Sequence, residues 1–237
     1  MNRSRRLLLV AAAALVVVGA GVATLGPTIK HEFQLWRSCL ASESIESRYA
    51  ADRHMPGTSG RLVAFIGDSW AQGAELPNAL DAFPYGIAQA TGDAIIVDGK
   101  QGTGYLNPGP CKDEPVSTRI ADTLEARPDV LVLALGVNDA VWQGREQAVE
   151  KAFDQIDTDR PDRVVVLGPF DPPLAEHDRV DEMAAILASA AADHGFEFVP
   201  MAGVVDSYLP DDLHPDVEGR RALVSYLAQV IGSAPGS

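Results

Sequence analysis

The chain is poor in cysteine and in basic residues, and no internal repeat or low-complexity segment stands out. Two cysteines in 237 residues exclude a disulfide framework. With 21 Gly and 16 Pro a collagen-like chain is excluded, and 46% hydrophobic residues exclude a disordered one. The composition predicts one globular domain with an appendage. Lysine and arginine number 19 against 33 acids, a formal charge of −14. Four of the bases and none of the acids fall in residues 1 to 30, which leaves −18 on the remainder. So acidic a body is a poor match for a phosphate backbone, and no nucleic-acid partner is expected.

What is present begins at the N-terminus. Residues 1 to 6 are basic, residues 7 to 25 are uncharged Leu, Val, Ala and Gly with a single Thr, and Gly26-Pro27 closes the run. As a helix, 19 residues reach roughly 28 Å, close to the hydrocarbon thickness of a bilayer. The expectation for residues 1–30 is a signal anchor that crosses the membrane once, with the body extracytoplasmic because the arginines stay inside. Gly21-Val22-Ala23 is also a passable cleavage site, and processing there would give a secreted protein. Residues 31–60 read as a polar stalk or linker in which 33 to 51 could hold a short helix, and residues 61–237 as the globular domain. In an oxidising compartment Cys39 of the stalk and Cys111 of a Gly/Pro-rich loop are expected to pair, two free thiols being the alternative.

From residue 61 short apolar runs recur at 61–66, 94–97, 130–135, 164–167 and 196–199. They are β-branched and apolar on both faces, as parallel strands covered by helices require. Helix-length segments separate them, at 77–91, 116–126, 142–158, 177–194 and 216–232. The alternation predicts a doubly wound α/β sheet of about five strands. Such sheets bind ligands at the carboxyl ends of their strands. The residues there are Gly67-Asp68-Ser69-Trp70, the glycine-rich stretch 98–104, Gly136-Val137-Asn138-Asp139 and, before the last helix, Asp211-Asp212-Leu213-His214.

Those residues can do acyl chemistry. A serine hydroxyl is a weak nucleophile until an imidazole takes its proton, and a carboxylate holds that imidazole in the right tautomer. Ser69, His214 and Asp211 supply the three groups, and the Asp-x-x-His spacing lets the carboxylate reach Nδ1 within one turn of chain. Donors for the oxyanion are the backbone N–H of Ser69, the backbone N–H of Gly102 and the side-chain amide of Asn138. Taken singly, each has a plainer explanation: a helix N-cap for Ser69, a tight turn for Gly102, a cap for Asn138-Asp139, and a solvated acidic turn or cation site for Asp211, Asp212, His214 and Asp216.

Gly-Asp-Ser at 67–69, Gly102, Gly-x-Asn-Asp at 136–139 and Asp-x-x-His at 211–214 resemble, in order and spacing, the four blocks of the SGNH or GDSL-type hydrolases. The resemblance covers roughly residues 61–232. It implies a flavodoxin-like three-layer α/β/α fold with a parallel sheet, and serine esterase or acyl-transfer chemistry. By resemblance Ser69 is the nucleophile, Gly102 and Asn138 are oxyanion donors, and Asp211 and His214 complete the triad. Trp70 departs from the family's leucine, Asp98 stands where asparagine is frequent, and Gly104 is the second candidate for the glycine donor.

The expected function is an extracytoplasmic, membrane-tethered serine esterase that hydrolyses or transfers an acyl group on a cell-envelope lipid or glycan. That chemistry requires no metal and no organic cofactor. Trp70, Tyr105 and Leu106 flank the site and could line an acyl or sugar pocket. The competing readings are a non-catalytic glycan-binding module on the same fold and a cation-dependent phosphoesterase built on the 211–216 turn.

Overall fold

The structure is a computed structural model and describes residues 30, 32–112 and 115–232. Apart from Lys30, the expected membrane anchor lies outside the described residues. Among those described, no helix is long and apolar enough to cross a membrane.

Five apolar strands form the parallel part of the sheet: β2 (Leu62–Gly67), β3 (Ala94–Gly99), β4 (Val130–Ala134), β5 (Arg163–Leu167) and β6 (Glu197–Val199). They are ordered β3-β2-β4-β5-β6. One strand departs from the expected all-parallel sheet. β1 (His54–Met55) pairs antiparallel with β3, His54 opposite Ile96 and Met55 opposite Ile95, so the sheet is mixed and has six strands. Two residues in a polar stretch carry no periodic signal, and the pairing is dictated by the open edge of β3.

Both faces of the sheet are covered because both sets of alternate strand residues are apolar. Val63, Phe65, Val132 and Val165 face a core built with α3 (Phe83–Thr91) and α7 (Val217–Gly232). Ala64, Ile66, Leu131, Leu133 and Val166 face a second core built with α4 (Ile120–Leu124), α5 (Arg145–Asp157) and α6 (His177–His194). The result is the three-layer α/β/α arrangement. The four-residue α2 (Ser69–Gln72) leaves β2 directly, capped by the Asp68 carboxylate on the Trp70 N–H.

The stretch expected as a stalk is helical over 32–48, here α1. Its inner side is fastened to the body at several points. Gln72 donates to the Ser42 hydroxyl at 2.9 Å, Lys100 pairs with Glu46, Lys112 pairs with Glu32, and Cys39 and Cys111 are placed as a disulfide with Cα atoms 4.9 Å apart. A bond spanning 72 residues removes loop-closure entropy from the unfolded chain, about 4 kcal/mol in the chain-entropy model. Denaturant unfolding with and without reductant should show a loss of that order, and two titratable thiols in the folded, unreduced protein would contradict the pairing.

Candidate active site

The order of the parallel strands reverses around β2, with β3 on one side and β4 on the other. The crevice beyond the carboxyl ends of β2 and β4 is therefore where a ligand is expected in such a sheet. Ser69 sits there as the first residue of α2, and Asn138 sits there in the 3₁₀ turn Val137–Asp139 that follows β4.

Ser69, His214 and Asp211 are brought into one hydrogen-bonded line. The Nε2 of His214 is 2.9 Å from the Ser69 hydroxyl, across 145 residues of sequence, and Nδ1 is 2.7 Å from Asp211 Oδ2. With the Nδ1 proton donated to the carboxylate, Nε2 is left to accept the serine proton. The other oxygen of Asp211 accepts the backbone N–H groups of Leu213 and His214 at 3.0 and 2.9 Å. Burial pushes the Asp211 carboxyl up, but the hydrogen bonds from His214 and from these two amides outweigh it and hold it below the ordinary carboxylate range. The turn is closed by Leu209 N–H donating to the His214 carbonyl and Leu174 N–H to the Asp212 carbonyl. Ser69 and His214 are both buried, at 7% and 5% exposure.

Two other histidines also meet carboxylates, a pairing that sequence spacing does not reveal. His177 contacts Asp171, and His194 contacts Asp157 and Glu150. Among the described residues only His214 also reaches a serine. The 211–216 carboxylates do not converge as a ligand set. Asp216 turns to the amides of Glu218 and Gly219 and to the Ser207 hydroxyl, and both oxygens of Asp211 are committed as above.

The glycine-rich stretch after β3 resolves into distinct roles. Gly104 donates its N–H to the Asn107 carbonyl, and a Cβ there would lie 2.1 Å from Asp139 Oδ2. Its lack of a side chain thus lets the Asp139 carboxylate pass. Gly102 has φ +71°, a left-handed conformation that favours glycine, and its N–H has no acceptor among the described residues. The Ser69 N–H is likewise without one. Asn138 Nδ2 donates to the Thr103 carbonyl at 3.0 Å and, more weakly, to Asp68 Oδ2 at 3.3 Å.

Several buried polar residues support this stretch from positions distant in sequence. Asp139 accepts from the amides of Tyr105, Leu106 and Asn107 at 2.7 to 3.0 Å. Arg119, 5% exposed, donates to Asp98 Oδ2, the Thr103 hydroxyl and the Gly67 carbonyl, tying the ends of β2 and β3 to the Gly102–Thr103 loop. Arg53 holds the other oxygen of Asp98 at 2.7 Å. The aromatic residues expected at a pocket wall belong to the core instead. Trp70 stacks on Phe170 with centroids 4.0 Å apart, and Tyr105 packs edge-on to Phe153. Of the three, Leu106 alone is half-buried.

Asp68 is fully buried between α2 and Asn138. Desolvation lifts its carboxyl to about 7, against the opposing influence of the Trp70 N–H, His214 and Arg119. The unfolded chain releases this proton near 3.8, whereas the folded chain keeps it to about 7, so the native state binds more protons in between. Stability should therefore fall as pH rises from about 4 to 7, on the order of 4 kcal/mol from this group. Thermal unfolding across pH 5 to 8 should show a shallower decline in Asp68→Asn than in the parent. Parallel curves would contradict the assignment.

The family model for GDSL-like lipases and acylhydrolases matches residues 65–222, which contain all four motif blocks. The chain belongs to the GDSL-like lipase/acylhydrolase family. It is accordingly a serine ester hydrolase by class. Solved structures of similar fold include an aryl esterase from M. smegmatis, 18% identical with a TM-score of 0.61 over 73% of this chain and 98% of that one. A carbohydrate acetylesterase from Sinorhizobium meliloti is 18% identical with a TM-score of 0.60, over 72% of this chain and 98% of that one. A lipase/acylhydrolase from Enterococcus faecalis is 18% identical with a TM-score of 0.59, over 73% and 95%. No protein of curated function matches the chain by sequence. At these identities the structural neighbours speak to the fold, and family membership rests on the motif-bearing body.

Proposed function

We propose that this hydrolase works outside the cytoplasm, tethered by its N-terminal run, and cleaves or transfers an acyl group on a cell-envelope lipid or glycan through Ser69, His214 and Asp211. The observation that carries the chemistry is the continuous Asp211–His214–Ser69 line beside the unpaired N–H groups of Gly102 and Ser69. His214 takes the Ser69 proton as the hydroxyl attacks the ester carbonyl, then returns it to the departing alcohol. Water or an acceptor hydroxyl, deprotonated by the same imidazole, releases the acyl group.

The charge that develops on the carbonyl oxygen meets the N–H groups of Ser69 and Gly102. Asn138 joins them by exchanging its long bond to Asp68 for one to the oxyanion. Asn138→Ala should lower kcat by about 10²- to 10³-fold with KM little changed, because the bond is made in the transition state. An equal loss through KM would assign Asn138 to substrate binding instead.

The tether and the envelope substrate rest on the 19-residue run and its basic flank. Because the fold neighbours include a carbohydrate acetylesterase and an aryl esterase, acetyl and aryl esters are the first substrates to try. Turnover of p-nitrophenyl acetate, butyrate and octanoate by the full chain tests the reading. Release that falls with acyl length supports an O-acylated glycan, release that rises supports a lipid, and no release of any of them would overturn the hydrolase arm.

A further inference from the structure

An ordinary surface helix turns its large apolar side chains inward, whereas α1 turns in only Leu35 and Ile45, both half-buried, and leaves its larger apolar side chains outside. Its inner face presents Ser38, Cys39, Ser42 and Glu46, and uses them for the disulfide, the Gln72 bond and the Lys100 pair. Phe33, Trp36 and Leu40, at the i, i+3, i+7 spacing of one helical stripe, lie on the opposite side at 54%, 55% and 44% exposure. The rings of Phe33 and Trp36 are neighbours, with centroids 5.6 Å apart. The fastenings of α1 leave this stripe facing away from the body, so nothing described in the fold covers it.

We propose that the Phe33–Trp36–Leu40 face of α1 lies in the headgroup boundary of a lipid bilayer, and that the disulfide-tied helix thereby holds the Ser69 end of the sheet at the membrane. The proposal rests on the membrane tether of the preceding reading. The uncharged run ends at Leu25, eight residues before Phe33, and eight residues span at most about 28 Å when fully extended. A bilayer crossed by that run therefore lies within reach of α1. Trp and other aromatic side chains concentrate at the membrane interface, and amphipathic helices lie there with basic residues beside the apolar stripe. Lys30 and Arg37, both exposed, flank this stripe on one side and suit lipid phosphates, while Glu32 and Glu43, also exposed, flank it on the other, so the apolar stripe and not net charge carries the docking.

The fastening points of α1 fix what is oriented. Gln72 ends the helix that begins with Ser69, Lys100 follows the end of β3, and Cys111 closes the loop that packs on Gly102, where a Cβ would meet Pro110 Cδ at 3.3 Å. The remaining large exposed apolar residues share that end of the sheet. Val141 and Trp142 follow Asn138, Leu174 abuts the Asp212 carbonyl, and Val217 lies three residues past His214.

The test uses the full chain reconstituted into phosphatidylcholine vesicles whose acyl chains are brominated near the headgroups. In a Trp142→Phe background Trp36 is the one exposed indole, because Trp70 is buried at 3%. The expected result is quenching of Trp36 emission by the brominated lipid, with that quenching lost in Phe33→Ser/Leu40→Ser while p-nitrophenyl acetate turnover persists in detergent. A chain that floats with the vesicles while Trp36 stays open to aqueous iodide leaves the tether standing and overturns the docking. Trp36 shielded from both quenchers assigns the stripe to a protein contact, a second copy or the leader run, and also overturns it. A chain that does not float removes the tether and the docking together.

Discussion

Ser69→Ala and His214→Ala are each expected to cut kcat for p-nitrophenyl acetate on the order of 10⁶-fold, and the double variant should be no worse than either. The three groups act as a unit, so removing one leaves the others nothing to activate, and only the oxyanion donors and binding remain. Asp211→Ala should lose less, about 10⁴-fold, because the imidazole survives and the 37% exposed side of this pair admits water to Nδ1. The measurement is kcat at saturating ester with the uncatalysed rate subtracted. Additive losses in the double variant would show that Ser69 and His214 serve separate steps.

The second large effect is on stability and falls at Asp139. Its carboxylate is fully buried and satisfies three consecutive amides of the 105–107 loop. Burial pushes the Asp139 carboxyl up even against those three bonds, and Asp139→Ala would relieve that cost. It would also strand three N–H groups, each at about 1–3 kcal/mol when buried without a partner. The net expectation is a loss of about 3 kcal/mol or more in urea unfolding, a large share of a typical domain's total. Asp139→Asn keeps one acceptor oxygen and should fall between parent and alanine, which preserves the comparison if the alanine variant does not fold. Asp122→Ala, on the exposed side of α4, is the control and should be near neutral. Equal stability of Asp139→Ala and the parent would show that the loop finds other acceptors.

The two experiments probe the parts of the molecule that were most and least legible in the sequence. Strands β2 to β6 are readable because a strand buried on both faces leaves a short, uninterrupted apolar run, as in Val130–Ala134. β1 is not, since two residues create no pattern and owe their conformation to the edge they meet. α1 shows only as a region that could be helical, because its larger apolar residues face outward and its inner face mixes Ser38, Ser42 and Glu46 with Leu35 and Ile45. Ser69 and the Asp211–His214 pair are readable because they stand in recognisable blocks, Ser69 at the end of β2 and the pair just before α7. The choice between Gly102 and Gly104 is not, and the structure narrows it through a fact of local pairing: the amide of Gly104 is taken by Asn107 and that of Gly102 is not. Asp68 and Asp139 stand in the motif blocks, but their bonding roles, like the whole of Arg119, escape sequence reading for one reason. Each acts on groups that sequence distance hides, such as the Tyr105 amide 34 residues from Asp139 or the Gly67 carbonyl 52 residues from Arg119.

Chemical labelling tests the central claim most directly. A nucleophile activated by His214 should react with an organophosphorus fluoridate, which a serine hydroxyl outside such a line does not do at comparable rates. Diisopropyl fluorophosphate added to the full chain should attach one phosphoryl group per molecule, on the peptide carrying Ser69, with loss of p-nitrophenyl acetate turnover in step. His214→Ala should remain unlabelled. Turnover that persists with Ser69 unlabelled, or a label on any other residue that tracks the loss of activity, would contradict the assignment of Ser69 as the nucleophile.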